Sequence, residues 1–307
     1  MAKNKIIEHT LYQAAYQRLR ECHQDPKDGF PFAHLKVLGP SGSGKSTLLR
    51  DYEARHPRYD EADRTLVPVL YAKVPPRPTI ANVAGALLRA MGCPLWKKGD
   101  ADDRTEHLLT LLRECRTELV LVDEAQHLVD RGRTKTRALV ADWMKATSDE
   151  SGIPWVLAGL PRTQLLDDAN DQFARRFGSE LTLDRLNPFD DDAVRVIGGI
   201  VVAQTAEFRI NLAPNIDPSD LARRVGFAAD GLIGYITKLL AKVARAQRRD
   251  NSRCCDLAVF AQAFRDAIWS DAPDDRNPFV GSLSKLRTRL TDVNEPFSPQ
   301  NDALGEA

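Results

Sequence analysis

The sequence predicts an α/β protein: a central parallel sheet with helices on both faces, followed by a purely helical part and a tail. Three observations carry that expectation. Up to Pro188, short apolar runs alternate with segments of helical periodicity. One run, Leu119-Val120-Leu121-Val122, is apolar at every position, as a central parallel strand covered on both faces must be. A glycine-rich turn from Gly39 joins the end of a strand to the start of a helix. After Pro188 the strand signals stop.

Taken in order, residues 8–22 place Leu11, Ala14, Ala15 and Leu19 at helical spacing. A loop with Asp25, Pro26, Lys27 and Gly29 leads to a strand, His34 to Leu38, and a helix opens at about Lys45. Residues 66–74 (LVPVLYAKV) read as a second strand, with Pro68 near its start, where a residue without an N–H is tolerated. The segment PPRPT breaks the chain before a helix over 79–91, and another helix covers 105–115. The apolar run 119–122 is a strand that stops at Asp123-Glu124. A helix over 135–147, a strand over 153–158 and a last strand at 181–183 complete the α/β part. Helices follow over 190–204, 217–228, 231–249 and 256–269. The third-to-last of these starts at Asp217-Pro218, an N-cap followed by proline in the first turn. From Asp271 the chain is polar and proline-spotted. The expected division is residues 1–188, an N-terminal helix with the α/β domain; 189–270, a helical subdomain; and 271–307, an extended tail.

Composition narrows the function classes. The chain has 307 residues, 43% hydrophobic and 28% charged, enough apolar content to bury a core and too much for wholesale disorder. Lys plus Arg and Asp plus Glu both number 43, so a globally basic nucleic-acid coat is excluded while a local basic patch is not. Five cysteines without a CxxC fit neither a disulfide framework nor a zinc site, and suit a reducing cytoplasm. The N-terminus lacks a signal-peptide apolar run, and no stretch approaches the roughly 20 apolar residues of a membrane helix.

Two motifs carry chemistry. Gly39-Pro40-Ser41-Gly42-Ser43-Gly44-Lys45-Ser46-Thr47 fits the P-loop pattern GxxxxGK[ST]. Glycines let backbone N–H groups turn inward around phosphate oxygens, and the following helix adds the positive end of its dipole. Lys45 is expected to reach the β- and γ-phosphates, and the Ser46 hydroxyl to ligate Mg²⁺. The acidic pair Asp123-Glu124 ends a buried strand, the Walker B arrangement. There Asp123 holds the Mg²⁺ shell and Glu124 polarises the attacking water. A nucleoside triphosphate with Mg²⁺ is therefore the expected ligand and its hydrolysis the expected reaction; that the nucleotide is ATP is what the family resemblance given next implies. In Phe173-Ala174-Arg175-Arg176-Phe177, an arginine pair precedes the last strand. Alone it would read as a surface pair making salt bridges. After the two phosphate motifs it reads as an arginine finger for a neighbouring subunit, with Arg175 and Arg176 both candidates.

These residues reach a family. The P-loop, DEAQHL (Asp123 to Leu128), IPWVLAGLP (Ile153 to Pro161) and RRFGSEL (Arg175 to Leu181) resemble the AAA+ ATPases of the TniB and TnsC type, which regulate DNA transposition. So do VPPRPTIANVAGALLRAMGCP (Val74 to Pro94) and GLIGYITKLLAKVARAQ (Gly231 to Gln247), the latter at the position of the family's helical lid. The resemblance covers roughly residues 5–270. It implies an AAA+ P-loop domain with a lid. Two departures stand out: Ala158-Gly159 occupies the place of a polar sensor residue on the fourth strand, and Gly231-Leu232-Ile233-Gly234 the place of a lid sensor arginine. Both point to a slow, switch-like ATPase rather than a motor.

The run Arg131-Gly132-Arg133-Thr134-Lys135-Thr136-Arg137 holds four cations and no acid. By residue type alone it is a solvated loop and helix start. In the ring or filament that the resemblance implies, it faces the central channel, so Arg131, Arg133, Thr134, Lys135 and Arg137 are the expected contacts to duplex DNA. Lys97-Lys98 is a lesser candidate, and the basic positions from Lys238 to Arg249 read as a solvated lid face. His127 reads as structural. The resemblance implies a homo-oligomer on DNA that presents the target to a transposase and a target-selection co-regulator. The rival readings are another DNA-associated AAA+ ATPase, helicase- or clamp-loader-like or an origin-binding protein, the last disfavoured because no winged-helix-like β segment is read after the lid, and a signalling NTPase that does not touch DNA. In the tail, Asn277-Pro278-Phe279 and Asn294-Glu295-Pro296-Phe297 flank Leu283, Leu286 and Leu290. This is either a docking peptide or a segment packed back on the lid.

Overall fold

A computed structural model of the chain describes residues 8–130, 134–169 and 171–286. It divides into two compact units. One is Leu11–Leu183; the other is Asp184–Ala307 together with Met1–Thr10.

The first unit is the α/β layer structure. Helix α1 (Thr10–Gln24) precedes strand β1 (Leu35–Leu38) and helix α2 (Lys45–Arg55). A short antiparallel pair, β2 (Tyr59–Asp60) and β3 (Thr65–Leu66), leads to β4 (Val69–Lys73). Helices α3 (Ile80–Met91) and α4 (Ala101–Glu114) follow, then β5 (Leu119–Asp123), α5 (His127–Asp130) and α6 (Thr134–Ser151). Strand β6 (Trp155–Gly159) is followed by a 3₁₀ turn (Pro161–Gln164), α7 (Leu165–Ala169), α8 (Asp171–Arg176) and β7 (Ser179–Thr182). The five main strands are parallel and run in the order β4-β5-β6-β1-β7.

The order explains the residue types. Strands β5, β6 and β1 lie inside the sheet and are buried at every position, which is why β6 and the run Leu119 to Val122 of β5 read as unbroken apolar stretches, with Lys36 the exception in β1. β7, at one edge, alternates between partly buried and exposed. Lys36, buried in β1, is ion-paired with Asp167 and lies 3.7 Å from Glu180, so its charge is compensated rather than left bare.

Several boundaries differ from the sequence reading for identifiable reasons. The run 66–74 is two strands, because Pro68 has no N–H for a ladder; its carbonyl instead accepts from Glu118 N (2.8 Å) and Leu119 N (3.2 Å). Helix α4 starts at Ala101, ahead of residue 105, because Asp100 and Asp103 close a capping box. Helix α6 extends to Ser151, and β6 begins only after Pro154.

In the second unit, α9 (Asp191–Phe208), α10 (Pro218–Ala228), α11 (Ile233–Arg249) and α12 (Leu257–Ala267) surround a core that includes Ile197, Leu239, Leu240 and Phe260. Asp190, Asp217 and Asp256 cap the first, second and fourth of these helices by accepting from backbone N–H groups. The chain just beyond residue 271 packs on this unit. A 3₁₀ turn (Asp274–Arg276) presents Asn277, which is fully buried and donates to Ala261 O (2.9 Å), and Phe279, whose ring lies 5.3 Å from that of Phe260. Buried Arg224 donates to Pro278 O (2.8 Å) and Gly281 O (3.0 Å). A last turn, α13 (Leu283–Leu286), ends the described chain, so Leu290 and Phe297 of the docking reading lie outside the described residues. No described helix is long and apolar enough to cross a membrane.

Candidate active site

The cleft is built at the carboxyl ends of β1 and β5. Gly39 leaves β1 so close to its neighbours that a Cβ there would lie 2.1 Å from Leu183 O and 2.8 Å from Ser43 Oγ. Gly44 takes φ 104°, a left-handed conformation that a side chain would strain, and caps α2 without a side-chain hydrogen bond. The first turn of α2, Lys45 to Thr47, therefore turns backbone N–H groups and its dipole toward the cleft with no side chain of the protein's own to satisfy them. Lys45, 9% exposed, donates through Nζ to Gly39 O (2.7 Å) and Pro40 O (2.8 Å). Burial pushes its pKa down to about 8, against the pull of Asp123 and Glu124. The Ser43 hydroxyl is buried with no partner among the described residues. A buried ammonium, open helix N–H groups and an orphaned hydroxyl around one loop call for an anion with several oxygens. The cleft, about 180 Å³, has Lys45, Ser46 and Thr47 on one wall and Asp123, Glu124 and Gln126 on the other.

The opposite wall comes from β5. Asp123, its last residue, is 1% exposed. The parallel register sets Lys73 of β4 beside it, with Nζ 3.6 Å from Asp123 Oδ2 and 3.6 Å from Glu124 Oε1. Tyr71 donates its hydroxyl to Asp123 Oδ2 at 2.6 Å and accepts from Arg50 Nε at 3.2 Å. Burial, together with the bond to Asp123, pushes the Tyr71 phenol upward, so it stays a donor. Glu124 adopts φ 60°, a left-handed backbone that non-glycine residues rarely take. Its N–H donates to Asp123 Oδ1 (2.9 Å), and Ala125 N–H to Ala158 O (2.9 Å), so the chain turns sharply off the strand and swings the Glu124 carboxylate to the cleft. Local strain of this kind clusters at functional sites. Ser46 and Asp123 supply a hydroxyl and a carboxylate, oxygen donors of the kind Mg²⁺ takes beside phosphate.

The other expected residues fall as follows. Arg175 and Arg176 end α8, and neither lines the cleft. Arg176 pairs with Asp149 of α6 at 3.3 Å, while Arg175 is exposed and has no ion-pair partner among the described residues. Of the DNA-contact group, Arg131 and Arg133 lie outside the described residues, and Thr134, Lys135 and Arg137 occupy the first turns of α6. His127 donates through Nδ1 to Val74 O (3.1 Å), a structural bond. Lys97 lies over the Trp96 ring, and Lys242 pairs with Asp266 at 3.1 Å. The sequence reading assigned no role to Tyr71, Lys73 or Gln126. Lys73 was recoverable only from the strand register; Gln126 stood in view inside DEAQHL but nothing local marked it.

The family model described as the bacterial TniB protein matches residues 1–186. Among solved structures, the chain is similar to the ORC2 protein of Aeropyrum pernix in ADPNP-ADP complexes, with a TM-score of 0.64 and 16% identity over 88% of this chain and 71% of that one. It is similar to the Aeropyrum pernix ORC1 protein in complex with DNA, with a TM-score of 0.61 and 17% identity over 85% and 66%. It is also similar to the RuvB Holliday junction branch migration motor of Thermotoga maritima, with a TM-score of 0.52 and 12% identity over 97% and 82%. No curated protein matches the sequence. At these identities the likeness establishes the fold, which is that of AAA+ proteins.

Proposed function

The chain belongs to the bacterial TniB family, and from that premise we propose that it is an ATP-dependent regulator of DNA transposition. In this reading it assembles on duplex DNA in the ATP-bound state, presents that target to a transposase, and disassembles after hydrolysis. The observation that carries the reading is the convergence of Lys45 with Asp123 and Glu124 on one cleft of a TniB-family chain.

The chemistry follows from the residues. The triphosphate takes the place of the Gly39 and Pro40 carbonyls as the partner of the Lys45 ammonium, while Ser43 and the α2 N–H groups receive its remaining oxygens. Ser46 and Asp123 would hold Mg²⁺, which would supply charge neutralisation at the phosphate oxygens. Glu124 orients the attacking water and accepts its proton. Arg175 is the finger that reaches a neighbouring subunit's nucleotide, because Arg176 is already engaged by Asp149. An arginine supplied in this way is worth about 10³–10⁵ in rate, so an isolated chain hydrolyses slowly and the assembly sets the clock. ATP bridges subunits, hence assembly is favoured only while the γ-phosphate is present. Arg131, Arg133, Thr134, Lys135 and Arg137 track the DNA backbone, a reading supported by the structurally similar ORC1 protein, which is described in complex with DNA. The segment beyond Leu286 is the docking element for another component.

The test is anisotropy of labelled duplex DNA with purified protein, together with sedimentation, under ATP, ADP and no nucleotide. ATP-dependent binding and assembly, both lost in Lys45→Ala, are expected. Equal DNA binding in all three conditions refutes the switch. Hydrolysis and assembly without DNA binding would instead identify a signalling NTPase.

A further inference from the structure

A carboxylate that must aim a water molecule needs its own orientation fixed, and Glu124 stands on a strained turn with a flexible side chain. At the end of β6, where Ala158 and Gly159 place no polar side chain, the space is shared by Thr163 of the following 3₁₀ turn and by Gln126 from the turn after β5. A Cβ on Gly159 would lie 2.3 Å from Thr163 Oγ1 and 3.1 Å from both Gln126 N and Gln126 Oε1, so the glycine makes room for the Thr163 hydroxyl and, beside it, for the amide. Gln126 is 6% exposed and reaches the cleft. Its amide orientation is dictated by chemistry: Leu160 N–H, which only donates, meets Oε1 at 3.3 Å. That turns Nε2 toward Glu124, where it donates to Oε2 at 2.5 Å. One rigid amide thus links the end of β6 to the carboxylate at the end of β5.

We propose that Gln126 is the positioning residue for Glu124, fixing its carboxylate from a β6 terminus that carries no polar side chain. The inference rests on the ATPase reading above. One N–H of the amide holds Glu124 Oε2, and the second faces the cleft, where a water or a phosphate oxygen accepts it. Lys73, 3.6 Å from Glu124 Oε1, steadies the other carboxylate oxygen from β4.

The decisive variant is Gln126→Glu, which is isosteric and keeps an oxygen for Leu160 N–H but replaces the donor facing Glu124 by an acceptor. A role confined to packing and to accepting from Leu160 would leave this variant active. The positioning role requires kcat at saturating ATP to fall about 10- to 100-fold; a second carboxylate beside the triphosphate also weakens ATP binding, so an ATP Kd near the parent's is expected only of the neutral variants that follow. Gln126→Ala, lacking both contacts, should lose kcat similarly, and Gln126→Asn, with a shorter amide, should recover part of it. ATP turnover with duplex DNA present and ATP binding by calorimetry are measured for all three beside Glu124→Gln. Loss of turnover in Glu124→Gln with wild-type kcat in Gln126→Glu overturns this inference alone. Normal turnover in Glu124→Gln overturns the assignment of Glu124 and this inference with it.

Discussion

His34 enters β1 just ahead of the P-loop and is a buried base whose protonation in the folded state is displaced to lower pH. It is 1% exposed; its Nδ1 accepts from Trp155 N–H at 3.0 Å, and its ring stacks on Phe177 at 4.3 Å. The proton therefore sits on Nε2, which has no partner among the described residues. Burial pushes the pKa down to about 4, Asp149 opposing and Arg176 adding to the shift. Because the folded pKa lies below the unfolded one, the unfolded chain binds more protons between the two. Stability is therefore fully present above the unfolded value of 6.5 and is lost as pH falls toward 4. Between about pH 7 and about pH 4.5 the loss from this one group is about 2 kcal/mol, or roughly 4–8 °C of melting temperature for a unit of this size. In His34→Asn, the new Oδ1 still accepts from Trp155 but does not titrate. Thermal melts of both proteins at the two pH values cancel the carboxylate contributions common to them, and the parent should fall further by that margin. Equal losses would show that His34 takes up its proton freely in the native state and would refute the reasoning.

Gly39→Ala should lower stability by about 1–3 kcal/mol, since its Cβ meets a backbone oxygen that cannot swing away, and should weaken ATP binding; calorimetry and melts check both. Mixing Lys45→Ala with Arg175→Ala should restore ATPase activity at mixed interfaces, whereas mixing Lys45→Ala with Arg176→Ala should add nothing beyond the activity of Arg176→Ala alone, which retains the finger; the reverse pattern would exchange the two roles. Charge removal at Arg131, Arg133 or Lys135 should weaken binding to every duplex alike and flatten the logarithmic salt dependence by about one unit per lost phosphate contact; loss confined to one sequence would contradict backbone tracking. A chain ending at Asp271 should melt lower than one ending at Leu286, because it loses Asn277, Phe279 and the acceptors of Arg224. The longer truncate should keep ATPase activity and DNA binding while transposase capture in a pull-down drops.

The sequence by itself determined the strand–turn–helix of the P-loop, the acidic end of β5, and the change from alternating elements to helices alone. These are local facts: φ preferences of glycine, the apolar run of a strand covered on both faces, caps such as Asp217-Pro218. The tertiary structure decided what depends on neighbours distant in the chain. Pro68 splits one apparent strand because it has no N–H to give to a ladder, while its carbonyl still accepts from Glu118 and Leu119 at the start of β5. The parallel register of β4 on β5 brings Lys73 and Tyr71 to Asp123, across about fifty residues that no local pattern spans. Arg175 and Arg176 are equivalent on the page of letters; only the packing of α8 near Asp149 separates them. Gln126 bonds Glu124 within the turn after β5, but its other anchor, the Leu160 N–H, reaches it only because β6 lies next to β5. Short-range chemistry fixes which groups are present, while sheet order and register, set by burial of the whole apolar core, fix which of them touch.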